Sequence, residues 1–108
     1  MPQFGDREKN FEAKFAHDET VRFKVFARRN KLMGLWAADK LGLHGAAADA
    51  YAAEVVKAGA TSVDDEDALN KIKADLDAKA VGLSEHQIRR EMQDHLDTAR
   101  QQIMSEDK

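Results

Sequence analysis

The sequence of 108 residues has no cysteine, a single proline and only six glycines. The absence of cysteine excludes disulfide scaffolds, thiolate metal sites and cysteine nucleophiles. The low content of proline and glycine excludes collagen-like and proline-rich architectures. No apolar run approaches the roughly 18 residues that a membrane-spanning helix needs, so we expect a chain that is not embedded in a membrane. Charged residues from Asp6 onward also lead us to expect no secretory signal.

Acidic side chains slightly outnumber basic ones, and the two are unevenly distributed along the chain. The formal net charge is −3, from 17 basic and 20 acidic side chains. The first 44 residues hold nine basic and six acidic side chains, whereas the remaining residues hold eight and fourteen. Because general nucleic-acid binding is typical of a basic domain, we expect no nucleic-acid partner.

Helix-forming residues dominate the chain, and β-branched residues never form an alternating run. This pattern predicts an all-α fold. Gly42, Gly45, Gly59 and Gly82 each lie at the edge of an apolar-periodic segment, where a left-handed helix end or a tight connection favours glycine. They divide the chain into four helices with short connections, which predicts a four-helix bundle.

Two of the predicted helices have recognisable starts. The third is expected to begin near residues 62–64, followed by an acidic first turn, with Lys79 near its end. The fourth begins at Ser84, which can cap the backbone while Gln87 reaches back to it and Leu83 packs onto Ile88. The second spans roughly residues 46–58 and has a small-residue face that permits close helix approach. The predicted core positions are Val25, Phe26, Leu32, Met33, Trp36, Ala48, Tyr51, Ala52, Val55, Val56, Leu69, Ile72, Leu76, Ile88, Met92, Leu96, Ala99 and Ile103.

The apolar stripe of the first helix stops near Val21, because Asp18 and Arg22 would continue it with charge. The expected organisation is therefore a disordered or frayed N-terminal segment, residues 1–18, followed by a bundle domain, residues 19–108.

Within residues 1–18, Phe4, Phe11 and Phe15 fall on one helix face among alternating charges. These phenylalanines can either extend the core or form a binding segment. We favour a binding segment, since aromatic anchors interleaved with charged residues are typical of a helix that docks into a groove.

Residues 22–31 contain five basic and no acidic side chains. Such a stretch can hold a phosphate or an acidic partner. The interpretation we favour is a solvated face that pairs with the acidic third and fourth helices. For Trp36 we expect a place in the core rather than a base-stacking role.

Residues for catalysis or metal binding do not form a recognisable pattern. The histidines His17, His44, His86 and His95 offer no H-E-x-x-H pair, so we expect no metal site. The sequence has no nucleophile elbow, phosphate-binding loop or dinucleotide fingerprint. We therefore expect a protein that is not an enzyme.

Three stretches carry a family resemblance: FAHDE at residues 15–19, ARRNKLMGLWAA at 27–38 and YAAEVV at 51–56. They resemble the zeta subunit of the alphaproteobacterial ATP synthase, an inhibitor of its ATPase activity. The resemblance covers essentially the whole chain and is weakest at residues 59–62.

The resemblance implies a four-helix bundle with an N-terminal inhibitory segment that inserts between the catalytic subunits and the rotor stalk. The implied partners are the alpha, beta and gamma subunits of the catalytic sector, and the implied location is cytoplasmic, peripheral to the inner membrane. The matching segment is roughly residues 1–19. Its expected partner-binding residues are Phe4, Phe11 and Phe15 as anchors, with Arg7, Glu8, Glu12 and Lys14 as flanking polar contacts.

The resemblance also implies adenine-nucleotide binding by the bundle, with no cofactor required and ADP or ATP as a regulatory ligand. The candidate nucleotide-binding residues are Arg28, Arg29 and Lys31, since guanidinium groups suit phosphate. The alternative function is a small helical nucleotide- or RNA-binding module that acts through residues 22–31.

Overall fold

The computed structural model describes residues 19–60 and 66–106 of the chain. These residues form four α-helices and no strand: α1 (Glu19–Lys40), α2 (Ala46–Ala60), α3 (Glu66–Ala78) and α4 (Glu85–Glu106). The predicted all-α four-helix fold is confirmed. The N-terminal segment and the predicted start of the third helix lie outside the described residues.

The first helix, α1, is the centre of the bundle. It packs most extensively against α2, and it also contacts α4 and α3. The third helix, α3, lies against α1, α2 and α4, whereas the backbones of α2 and α4 do not approach one another closely within the described ranges. Removing α1 would therefore leave α2 and α4 connected only through α3.

The core consists of two apolar clusters along α1. The larger involves the C-terminal half of α1, together with α2, α3 and the start of α4. The smaller joins the N-terminal half of α1 to the C-terminal half of α4. The smaller cluster contains Val21, Val25, Ala99 and Ile103, with Leu32 and Leu96 packed beside it.

Most of the predicted core positions are buried. The fully or almost fully buried ones are Val25, Met33, Tyr51, Ala52, Val55, Leu69, Ile72, Leu76, Ile88, Met92, Ala99 and Ile103. The remaining predicted positions are partly buried, namely Phe26, Leu32, Trp36, Ala48, Val56 and Leu96. The helical periodicity therefore identified the inner face of every helix.

A reciprocal hydrogen-bond pair starts α4 as the sequence predicts. The Gln87 backbone N–H donates to Ser84 Oγ at 3.1 Å, and the Ser84 N–H donates to Gln87 Oε1 at 2.8 Å. Leu83 packs against the larger cluster, which includes Ile88. The acidic first turn predicted for the third helix is present at Glu66 and Asp67, whereas Lys79 lies one residue past its end.

Helices α1 and α2 approach closely because both lack bulk where they cross. Gly34 is buried in α1, and a Cβ atom there would lie 2.6 Å from the Ala52 Cα and 3.1 Å from its Cβ. This contact confirms the close approach predicted from the small-residue face of α2. Only glycine permits this separation of the two backbones without displacing α2.

Gly42, Gly45 and Gly82 lie in connections between helices, as predicted. Gly42 and Gly45 have the expected positive φ, 78° and 57°. Gly59 instead lies inside α2, and the left-handed residue before α4 is Ala80, with φ 59°, rather than Gly82.

Both α1 and α3 end in the same pair of backbone hydrogen bonds. After α1, Leu43 N–H donates to the Ala38 carbonyl at 2.8 Å and Gly42 N–H to the Asp39 carbonyl at 3.1 Å. After α3, Val81 N–H donates to the Leu76 carbonyl at 3.0 Å and Ala80 N–H to the Asp77 carbonyl at 3.0 Å. This ending requires a left-handed residue, supplied by glycine after α1 and by alanine after α3.

We predict that Ala80→Gly raises the free energy of unfolding by up to about 1 kcal/mol. The substitution relieves a left-handed strain of about 1–2 kcal/mol. This gain exceeds the free-energy cost of ordering the more flexible glycine on folding. The matched variant Gly42→Ala introduces the same strain after α1 and should lower the free energy of unfolding by a similar amount. Urea unfolding of both variants is the measurement, and a destabilised Ala80→Gly chain would contradict this account.

Candidate functional site

The predicted partner-binding residues of the N-terminal segment all lie outside the described residues. They are Phe4, Arg7, Glu8, Phe11, Glu12, Lys14 and Phe15. Their assignment stays a prediction. The structure does describe the end of the bundle at which this segment joins α1, and that end has an unusual surface.

Phe23, in the second turn of α1, is 65% exposed. It borders a groove of about 120 Å³ between α1 and α2. We call this feature the aromatic groove; it is lined by Phe23, Phe26, Ala27, Asn30, Val56, Gly59 and Ala60. The groove was not predicted, because the periodicity of the sequence assigned Phe26 to the core and said nothing about Phe23.

A buried polar pair lies beside the aromatic groove. Arg29 and Asn30 are 2% and 4% exposed. Arg29 donates from Nε and Nη2 to Asn30 Oδ1, at 3.1 and 2.9 Å. Its guanidinium carbon also lies 5.1 Å from the centre of the Phe26 ring, a cation–π distance. These contacts fix the orientation of Phe26 at the groove wall.

The position of Gly59 inside α2 follows from this polar pair. A Cβ atom at Gly59 would collide with the side-chain amide nitrogen of Asn30. Glycine within a helix costs about 1 kcal/mol relative to alanine. Gly59 lies in the last turn of α2, close to the predicted helix edge, and its absent side chain makes room for Asn30.

The basic stretch is tied to the rest of the bundle through Arg28. Its guanidinium donates to both carboxylate oxygens of Glu106, at 2.8 and 3.0 Å, and to Gln102 Oε1 at 2.7 Å. The hydrogen bonds from Arg28 lower the pKa of the exposed Glu106 carboxyl. The favoured prediction, a basic face that pairs with an acidic helix, is confirmed at this position.

The structure does not bring the three candidate nucleotide-binding residues together. Arg28 reaches to α4, Arg29 is buried and Lys31 is exposed. On a regular helix, Arg29 and Lys31 point about 160° apart. Only Arg28 and Lys31 can meet one ligand, so a shared site for all three is absent from the described arrangement.

Two shallow cavities that the sequence did not indicate lie along α4. The larger, about 330 Å³, is lined by Trp36, Lys40, Leu83, Gln87, Arg90, Glu91 and Asp94. The smaller, about 200 Å³, is lined by Arg29, Arg89, Met92, Gln93 and Leu96. Trp36 packs against the core as predicted, and the Lys40 ammonium lies 5.8 Å from its ring centre.

A polar cluster joins α2 to α3. Tyr51 Oη donates to Asp75 Oδ2 at 2.7 Å, and Lys71 Nζ lies 3.2 Å from both Asp75 and Glu54. Lys71 also lies over the Tyr51 ring, 5.1 Å from its centre. Burial, together with the hydrogen bond to Asp75, raises the pKa of the Tyr51 phenol well above its usual range. The charges of this cluster are thus paired with one another.

The histidines are placed separately. His44 and His86 are exposed, and His95 Nδ1 lies 2.9 Å from the Glu91 carbonyl oxygen and 3.2 Å from Met33 Sδ. His17 lies outside the described residues. Across residues 19–60 and 66–106, no three histidine or carboxylate side chains gather as metal ligands. None of the helices in these ranges is long and apolar enough to cross a membrane.

The described structure defines a small all-helical bundle with an exposed aromatic side chain near the point where the N-terminal segment joins α1. Residues 1–102 match the family model described as ATPase inhibitor subunit zeta, and the chain belongs to this family. The predicted family resemblance is thereby confirmed. The family's description is that of an inhibitor subunit, a regulatory role. No match was found among curated individual proteins.

We predict that the single tyrosine of the chain resists ionisation while the bundle is folded. Its raised pKa contributes stability that is present below about pH 10, the usual tyrosine value, and is lost as the pH rises through the folded-state pKa. In an alkaline titration, phenolate absorbance should therefore appear only as helical circular dichroism is lost. Asp75→Asn, which removes the negative acceptor, should lower the pKa while burial still holds it above 10. Ionisation near pH 10 with the helices intact would contradict this assignment.

Proposed function

We propose that the chain inhibits ATP hydrolysis by the rotary ATP synthase through residues 1–18, which insert between the catalytic subunits and the rotor stalk. The observation that carries this proposal is the family match, which spans the N-terminal segment as well as the bundle. The partners are the alpha, beta and gamma subunits. The location that goes with them is cytoplasmic, at the membrane surface through the synthase.

The dimensions of the segment suit this role. Eighteen residues in a helix extend about 27 Å, long enough to enter a subunit interface. Ordering such a segment costs conformational entropy, which contacts made on binding must offset. Phe4, Phe11 and Phe15 are the side chains with enough apolar area to do so, and buried aromatic anchors are worth about 2 kcal/mol or more each. The charges of Arg7, Glu8, Glu12 and Lys14 then fix the register of the helix.

The bundle supplies the attachment for this segment. The chain passes from the segment into α1, where Val21 and Val25 are buried within its first two turns against α4. Because α1 contacts the other three helices, the segment is joined to the best-packed element of the bundle. In this proposal the chain has no chemistry of its own and acts by steric obstruction.

Inhibition of ATP hydrolysis by the isolated catalytic sector tests the proposal. The double variant Phe11→Ala, Phe15→Ala should raise the inhibitory concentration by on the order of 100-fold or more, from two lost anchors. Asn10→Ala, in the same segment but outside the predicted contacts, is the matched control and should inhibit as the parent does. Equal potency of the parent and the double variant would remove the two phenylalanines from the interface.

We also propose a regulatory adenine nucleotide as a ligand of the basic stretch, the second function that the sequence left open. The cations available to it are Lys31, which is exposed, and Arg28, which would exchange Glu106 for a phosphate. ADP titration should then shift the backbone amide resonances around Arg28 and Lys31, and Glu106→Gln should strengthen binding. Unchanged resonances between residues 28 and 36 would contradict this location. RNA binding has less support, because Arg29 is buried.

A further inference from the structure

The exposure of Phe23 is the feature of the bundle that its own packing does not explain. Its side chain borders the aromatic groove, whose walls are already in place: Phe26 is held by Arg29 at 5.1 Å and by Arg22 at 5.9 Å. A groove of about 120 Å³ is well below the roughly 300–1,000 Å³ of ligand pockets. It suits one inserted apolar side chain better than a free small molecule.

The size of this surface also decides what kind of contact it makes. The surface area of one phenylalanine and one small groove is far below the roughly 800 Å² per partner that a stable protein interface buries. A second copy of the chain held by this surface alone would therefore dissociate. The groove fits the role of one part of a larger interface, and the residues next to it in the chain are those of the N-terminal segment.

Helix geometry aligns the two surfaces. Phe4, Phe15 and Phe26 recur at intervals of eleven residues, and in any α-helix this interval turns a side chain by only about 20° from the preceding one. Phe23 lies about 60° from Phe26 on the same side. One partner surface can therefore contact the segment and the groove together.

The charge around the aromatic groove indicates the chemistry of the partner. Arg22 and Lys24 flank Phe23 on α1, and Lys57 follows the groove residue Val56 on α2; all three are exposed. Carboxylates on the partner would complement this rim and increase the rate of encounter.

We propose that the aromatic groove is a second docking surface for the catalytic sector, which inserts an apolar side chain beside Phe23 and surrounds it with carboxylates. This inference rests on the proposed inhibitory function. It adds a contact made by the bundle to the one proposed for residues 1–18.

Binding of the full-length chain to the catalytic sector, measured by fluorescence anisotropy, tests the inference. Phe23→Ala should weaken binding about 10-fold to 30-fold, mainly through faster dissociation. The bundle should stay folded by circular dichroism, because the side chain is exposed. Lys24→Glu should weaken binding at low salt, whereas Lys79→Glu, an equal charge change at the other end of the bundle, should not. Parent-like binding of both Phe23→Ala and Lys24→Glu would overturn the inference.

The two proposals fail in different ways. A full-length chain that neither binds nor inhibits the catalytic sector overturns both. If Phe11→Ala, Phe15→Ala weakens inhibition but the Phe23 and Lys24 variants do not, the proposed function stands and the groove contact is overturned.

The other possible occupants of the groove give distinct results in the free chain. A concentration-dependent dimer that Phe23→Ala dissociates would assign the groove to a second copy. Methyl resonances of Ala27, Val56 and Ala60 that shift in the Phe11→Ala, Phe15→Ala variant would assign it to the chain's own segment. Either result would overturn the inference, which predicts a monomer with unchanged groove resonances.

Discussion

The close approach of α1 and α2 at Gly34 and Ala52 is the constraint on which the rest of the bundle depends. With the two backbones this near, the larger core cluster can form around Met33, Ala37 and Val55. The same crossing brings the N-terminal half of α1 alongside the end of α2. The distance between the two helices there sets the width of the aromatic groove. The buried pair Arg29 and Asn30 fits between them because residue 59 is glycine.

How far the sequence predicts the structure depends on how local the determining interaction is. Helix faces and the start of α4 follow from periodicity and from the Ser84 and Gln87 pair, which are contained within a few residues. The structural roles of Gly59 and Ala80 do not follow from the sequence. The role of Gly59 depends on a side chain 29 positions away in another helix, and that of Ala80 depends on a strained backbone conformation. For Gly59 and Gly82, the glycine pattern alone favoured a left-handed helix end or a tight connection.

The candidate site divides in the same way. The sequence indicated that the basic stretch pairs with an acidic helix, which the structure shows at Arg28, whereas the role of the phenylalanines in the segment stays a prediction. The sequence did not distinguish the surroundings of Arg28, Arg29 and Lys31. In the fold, Arg28 contacts α4, Arg29 is buried and Lys31 is exposed to solvent. The sequence also gave no sign of the aromatic groove, because a groove exists only once α1 and α2 are packed together.

The position of α1 in the bundle has a mechanical consequence. A load applied to the chain at Glu19 along the axis of α1 acts on the contact with α4 and on the crossing with α2 at the same time. Such a load shears many side-chain contacts together, whereas a load across the helix would peel them apart one turn after another. Through α1 a pull from the N-terminal side therefore meets the combined resistance of both apolar clusters.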